Sequence, residues 1–309
     1  MAYKAIADAP VVWNLLNGVV CLYKSAGQSC KATKHSFFIK LASELNSMKV
    51  RPPYTYVDID GPTTKQMDVI VRPSYADNPL VCGPRYSADD FKSFVTTPLG
   101  FNTSGVMILG VNKGTKKAFV IREQSPLRTY RLKCALGYET DNLFATGKVI
   151  GEVRYKHVKQ HAMEKHLSIV QASHQRIAYE SNGVDPASQE AYELAVRGLV
   201  RPRDSKIPII YGAKLISFNP PDFTIELSCI NEYEDYLFAQ VHTLGHRLNS
   251  TATCTAIQCV HHSFFKLEDA LLMKHWTLEE VVANIANNNR LLRKQGRLSD
   301  NLNRYAAKG

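Results

Sequence analysis

Apolar positions along this chain recur in two spacings, and the change from one to the other marks out its elements. GVVCLYKSAG (18–27) is an apolar run closing on a turn and predicts a strand. In TKHSFFIKLASELN (33–46), Phe37, Phe38, Leu41 and Leu45 fall near helical spacing. From 47 to 85, Pro, Asp and Gly break up short apolar runs such as MDVIV, which predicts loops with one or two strands. SGVMILGV (104–111) and TYRLKCAL (129–136) predict strands. The pattern turns helical over the second half of 154–173. SQEAYELAVRG (188–198) predicts a helix with Glu190 early, Arg197 late and Gly198 at the C′ position. Strands are expected at 207–218 and 222–230, a helix at 233–248 and a strand at 250–260. LEDALL (267–272) starts a short helix, and Thr277 with Glu280 forms a capping box that opens the last long one. The end is basic, with Arg290, Arg293, Lys294, Arg297, Arg304 and Lys308 against Asp300. Helices interleaved with many non-adjacent strands, without repeats, predict an α+β fold: a mixed, mostly antiparallel sheet flanked by helices. One catalytic-type domain is expected over 1–285, followed by a basic C-terminal helix and tail over 286–309.

Composition narrows the partners. The 309 residues are 45% hydrophobic and 21% charged, as in ordinary soluble globular proteins. No apolar run approaches the ~18 residues of a membrane helix. The early stretch PVVWNLLNGVVCLY follows Asp8 and holds Asn14, Asn17 and Gly18, so it does not read as a signal peptide. A net charge of +10 favours a polyanionic partner, either RNA, DNA or an anionic membrane. Cys21, Cys30, Cys82, Cys134, Cys229, Cys254 and Cys259 are scattered among apolar residues, as buried reduced thiols of an intracellular compartment would be. Cys254 and Cys259 near His261 and His262 suggest zinc, but their five-residue spacing on a strand is expected to put the thiols on opposite faces. His157, His161 and His166 are interleaved with Lys156, Lys159 and Lys165, which repel a cation. They form a basic solvated face or one that contacts phosphate. No metal is expected.

Several chemistries lack their motifs. The chain has no G-x-x-x-x-G-K-[ST] loop, no G-x-G-x-x-G after a strand and no H-E-x-x-H. NTSGV lacks the first glycine of a G-x-S-x-G elbow.

Five segments in order carry more information. GVVCLYKSAG, PLGFNTSGVMILGVNKG, RTYRLKCALGYETDNLFATGKV, SQEAYELAVRGLVRP and LGHRL together resemble the TruB family of RNA pseudouridine synthases. Its animal mitochondrial branch is the nearest, with QEAYELAVRGLVRP, GAKLISFNPPDF and FFKLEDALL nearly collinear. The resemblance spans about residues 14–285. It implies the pseudouridine-synthase fold and a chemistry without a cofactor. A uridine is flipped into a pocket, an Asp carboxylate drives cleavage of the N-glycosidic bond, and the uracil rejoins the ribose through C5. An aromatic ring lies against the base, and a cation orients the carboxylate.

Laid on this chain, the family pattern G-x-L-D-x-x-A-T-G keeps Leu99, has Thr103 and Ser104 for its A-T, and keeps Gly105. Its aspartate position is Gly100, which has no side chain to act. The family tyrosine matches Tyr130, expected against the base or as a half-buried strand residue. The family arginine lies seven residues before a helix-terminal glycine, and counting back from Gly245 reaches Phe238. The family's Y-S-A tyrosine falls near Ser181, with Tyr179 two residues away. YKSAG matches the motif K-P-x-G with Ser25 for proline, and its Lys24 is structural or faces phosphate. Loss of both members of an ion pair can be nearly neutral, whereas loss of one is costly. Gly100 with Phe238 fits the accommodated double loss.

Three readings follow. In the first, the chain binds RNA on this fold with its own isomerisation impaired or lost. In the second, it is a working synthase with a displaced carboxylate, Asp89 or Asp90 of YSADDFK, acting on mitochondrial RNA. In the third, it is a non-catalytic assembly subunit. The resemblance implies the mitochondrial matrix and other mitochondrial RNA-processing proteins as company. MAYKAIADAP, with one Lys, one Asp and no Arg, is a weak presequence.

Overall fold

The computed structural model describes residues 8–50, 55–62, 64, 66–74, 80, 83–204 and 206–306, with side chains of the last helix through residue 294. Cys82 lies outside them. Its centre is a sheet in the order β1 (Gly18–Lys24), β5 (Thr103–Val111), β11 (Ala252–His262), β6 (Arg128–Leu136), β10 (Asp222–Ile230), β9 (Ile209–Asn219). β4 (Ser93–Val95) adds to β5, and β12 (Phe265–Lys266) adds to β11. All pairs in the sheet are antiparallel except β5 with β11. Two hairpin-like pairs stand apart: β2 (Thr55–Asp60) with β3 (Asp68–Pro73), and β7 (Tyr138–Thr140) with β8 (Val149–Glu152). The helices are α1 (Ala9–Leu15), α2 (Cys30–Ser47), α3 (Thr115–Glu123), α4 (Gln160–Glu180), α5 (Gln189–Val196), α6 (Glu234–Arg247) and α7 (Leu278–Ala306). This is the mixed α+β arrangement expected.

β1 and β5 read as unbroken apolar runs because both of their faces are buried. Val20, Leu22, Met107 and Leu109 face the large core shared with Phe37, Phe38 and Leu41 of α2 and Phe238 and Val241 of α6. Val19, Cys21, Val106 and Ile108 face a smaller core with Ile121 and Phe265, closed by Leu291 and Leu292 of α7. α7 runs unbroken through the boundary expected at 285/286 and packs on the sheet at least to Leu292.

α7 also covers the free edge of β1. Asn284 Oδ1 accepts from the Cys21 N–H (3.0 Å), and Asn288 donates to the Val19 carbonyl (2.9 Å) and to Asn284 Oδ1 (2.8 Å). An uncovered strand edge invites pairing with other chains. Asn288→Leu should cost about 2 kcal/mol in urea unfolding, because the Val19 carbonyl loses its donor in a buried setting.

Three local expectations differ. LEDALL forms only a 3-10 turn, Leu267–Asp269. α3 had no legible period, since its apolar quartet runs consecutively from Ala118; only Ala118 and Ile121 are buried, while Phe119 and Val120 are exposed. Cys254 and Cys259 both face the large core, contrary to the opposite faces expected. A β-bulge between Cys254 and Ala256 shifts the alternation by one residue. Cys254 meets Cys134 across the sheet, but among the described residues neither thiol belongs to a group of three converging ligands.

Gly105 shows why its motif needs glycine. Its φ is +115°, and a Cβ would lie 2.8 Å from the Cys259 backbone N and closer still to its carbonyl. The parallel approach of β5 to β11 leaves no room for a side chain.

Candidate active site

The loop from Thr96 to Thr103 leads into β5, and its backbone is held from four sides. Lys24, the last residue of β1, is fully buried. Its ammonium donates to the carbonyls of Ser25 (3.1 Å), Phe101 (3.2 Å) and Thr103 (2.7 Å). An ammonium has three donors, and three carbonyls take them. Lys24 therefore fastens the loop and does not face outward to phosphate. Burial lowers its pKa, opposed by Cys30 and Glu234. The Gly27 N–H donates to the Phe101 carbonyl (2.9 Å). The Cys30 thiol bridges the Leu99 peptide, accepting from its N–H and donating to its carbonyl, both at 3.3 Å.

The fourth hold is Glu234, in the first turn of α6. Its Oε1 accepts from the Asn102 N–H and Nδ2, both at 3.2 Å. Its Oε2 accepts from the Thr103 N–H (2.8 Å) and hydroxyl (2.5 Å). A carboxylate offers about four acceptor sites, and all four are in use. This side chain lies directly on Gly100: a Cβ there would fall 2.5 Å from Glu234 Cβ and closer to Cδ and Oε2. The φ of Gly100 is not in the left-handed region. Glycine is needed there because Glu234 fills the space, not because the backbone is twisted.

Tyr130 on β6 is buried, with the Arg128 guanidinium carbon 5.5 Å from its ring centroid. Arg128 forms a buried ion pair with Glu232 and donates to the Glu232 carbonyl (3.0 Å). Burial pushes the Tyr130 phenol well above its ordinary pKa, with Arg128 opposing, so the phenol keeps its proton at neutral pH. Burial alone would lower Arg128, but the Glu232 carboxylate beside it opposes this and holds the guanidinium charged. Burial raises Glu232, opposed chiefly by Arg128.

The other expected positions fall as follows. Phe238, one turn after Glu234, is buried and stacks on Phe144 with centroids 5.0 Å apart. An aromatic contact thus occupies the position expected for the family's arginine. Asp89 and Asp90 are exposed, and Asp90 Oδ2 accepts from the Ser87 N–H (2.7 Å) within their own turn. The Ser181 hydroxyl donates to the Ala178 carbonyl (2.9 Å) at the end of α4, and Tyr179 lines a surface cleft with Val184 and Asp185. Lys156, Lys159, His161 and Lys165 are exposed, whereas His157 Nε2 lies 3.0 Å from the Leu248 carbonyl and His166 is half-buried. Glu234, Glu232 and Arg128 were not singled out in the sequence. The acidic residues of NEYEDY at the start of an expected helix were the available signal.

His262, opposite Arg128 in the β11–β6 register, is fully buried. Burial, with Arg128 nearby, lowers its pKa to about 3. The folded state then binds fewer protons than the unfolded chain between that value and the ordinary histidine pKa. Stability is present above about pH 6.5 and falls as the pH drops below it. Between pH 7 and 5 this one group should remove about 2 kcal/mol. Comparing urea unfolding of His262→Leu with the parent at both pH values measures that difference.

Residues 96–233 match the family model described as TruB family pseudouridylate synthase, N-terminal domain. The chain is 31% identical over 273 residues to pseudouridylate synthase TRUB2, mitochondrial, of Homo sapiens, covering 86% of this chain and 82% of that protein. It is 31% identical over 280 residues to the Xenopus tropicalis protein of the same name, covering 88% and 86%. Among solved structures, the archaeal box H/ACA sRNP Nop10–Cbf5 complex aligns with a TM-score of 0.46 and 11% identity, over 89% of this chain and 60% of that one.

Proposed function

Because the chain belongs to the TruB family of pseudouridine synthases, we propose that it binds mitochondrial RNA on this fold without isomerising uridine. The observation that carries this reading is the Glu234 side chain on Gly100. The position expected for the family's aspartate is occupied by a side chain from α6, and its oxygens are spent on Asn102 and Thr103. A nucleophile or base needs a free lone pair aimed at the reacting atom. The orienting cation is also replaced, by the Phe238–Phe144 stack. Tyr130 keeps the family's ring but is buried against Arg128, so the net charge of +10 is the part that suits a polyanion. The mitochondrial matrix is the compartment this reading assigns, with other RNA-processing proteins as partners.

The test pairs two measurements on one RNA. Filter binding to mitochondrial transcripts carrying 5-tritiated uridine should show affinity that falls steeply with salt. The same RNA should release no tritium. Absent or salt-independent binding would favour a protein-assembly role instead. A second reading rests on the same observation: Glu234 is itself a carboxylate at the aspartate's place, brought in from α6. It requires tritium release by the parent that disappears in Glu234→Gln.

A further inference from the structure

About 12–18 Å along α6 from Glu234, at 1.5 Å per residue, a second group of side chains converges. His242 and His246, four residues apart on one face of the helix, meet Glu139 of β7. His242 Nε2 is 3.1 Å from Glu139 Oε2, His246 Nε2 is 3.4 Å from the same oxygen, and the two Nε2 atoms are 3.0 Å apart. Among the described residues this is the one group of three His, Cys, Asp or Glu side chains whose ligand atoms come together in this way.

We propose that Glu139, His242 and His246 bind a divalent transition-metal ion, Zn2+ in the first place. Ligands about 2.0–2.1 Å from a tetrahedral zinc lie about 3.3–3.4 Å from one another, and closer when the geometry is compressed. The edges found here, 3.0, 3.1 and 3.4 Å, lie at or slightly inside that spacing, so an ion just off their plane reaches all three atoms. Two imidazoles and one carboxylate are ligands that zinc takes readily. The backbone also shapes the site. Gly151 sits opposite Glu139 in the β7–β8 pair, and a Cβ there would come 2.7 Å from Glu139 Oε1. Glycine at this position lets the carboxylate lie across β8 with Oε2 turned to the histidines. Both histidines lie in the last two turns of α6, where the helix dipole favours a cation. With His246 about half exposed, a fourth position stays open to water. The bound ion pins the C-terminal half of α6 to β7, away from the Gly100 loop.

The expectation of no metal rested on Cys254, Cys259 and the lysine-interleaved His157, His161 and His166. The test uses the full chain, stripped with chelator, dialysed and kept reduced. Zn2+ titrated in competition with a chromophoric chelator should bind at one equivalent per chain with micromolar or tighter affinity and raise the melting temperature. Glu139→Gln keeps the size of the side chain, and His246→Gln changes a half-exposed one, so both should fold as the parent does by circular dichroism. Each should weaken Zn2+ at least tenfold and lose the shift in melting temperature. His161→Ala, on the exposed face of α4, should leave both unchanged. The proposal is overturned if the parent takes up no zinc at micromolar concentration. It is equally overturned if the double variant His242→Gln/His246→Gln binds as the parent does.

Discussion

Gly100→Asp should destabilise the protein by about 3 kcal/mol and should not make it release tritium from 5-tritiated uridine RNA. A simple missing-residue account predicts the opposite, namely that restoring the family's carboxylate restores the chemistry. Here the space is taken. The new Cβ would lie inside van der Waals contact of three Glu234 atoms. Relieving that contact breaks the bonds Glu234 makes to Asn102 and Thr103. Two carboxylates in one space also repel. Urea unfolding measures the loss. Gly100→Asp/Glu234→Ala should recover about half of it, because the clash goes while the loop stays less firmly tied. Adding Phe238→Arg supplies the cation, and this triple change is the smallest that provides carboxylate, room and counter-charge together. Tritium release by the triple variant, with none from Gly100→Asp, would show that the fold otherwise still accepts uridine.

Arg128→Ala should cost about 3–5 kcal/mol at neutral pH, because it strands the Glu232 carboxylate in a buried site. Removing both charges with residues of similar volume, Arg128→Met/Glu232→Leu, should fall within about 1–2 kcal/mol of the parent. The deficit of the single variant should also depend on pH. Burial already raises the Glu232 pKa, and Arg128 is the main group opposing that rise. Without Arg128 the folded-state pKa climbs further above the unfolded value. A raised carboxyl contributes stability below its unfolded pKa and loses it as the pH rises through the folded one. The deficit should therefore shrink as the pH is lowered from 7 toward 4.5. A deficit that stays constant with pH would mean that the loss comes from packing of the guanidinium on Tyr130 rather than from the stranded charge.

The elements that were legible in the sequence are those whose burial imposes a simple pattern. β1 and β5 stand out as apolar runs because each is covered on both faces. α2 stands out because Phe37, Phe38, Leu41 and Leu45 mark its buried stripe. α3 was hidden by four consecutive apolar residues, two of which the fold leaves exposed. The faces of Cys254 and Cys259 could not be read because a bulge resets the alternation, and nothing in the sequence marks it. Resemblance pointed to Gly100 within a short collinear motif and to Phe238 by counting back from Gly245. It could not reach Glu234, which lies 132 positions from Asn102 and meets the loop only once α6 is docked on the sheet. The same holds for Glu139, 103 positions from His242. The i,i+4 histidines are visible on a helix, but their third partner comes from another layer.

The account stands on Glu234 filling and occupying the aspartate's place without doing its chemistry. The measurement that tests this most directly is single-turnover tritium release. The parent protein is held in excess over 5-tritiated uridine RNA that filter binding shows to be bound, with Glu234→Gln run beside it. The account predicts background release from both proteins. Release from the parent at synthase rates, abolished in Glu234→Gln, would contradict it and make Glu234 the working carboxylate.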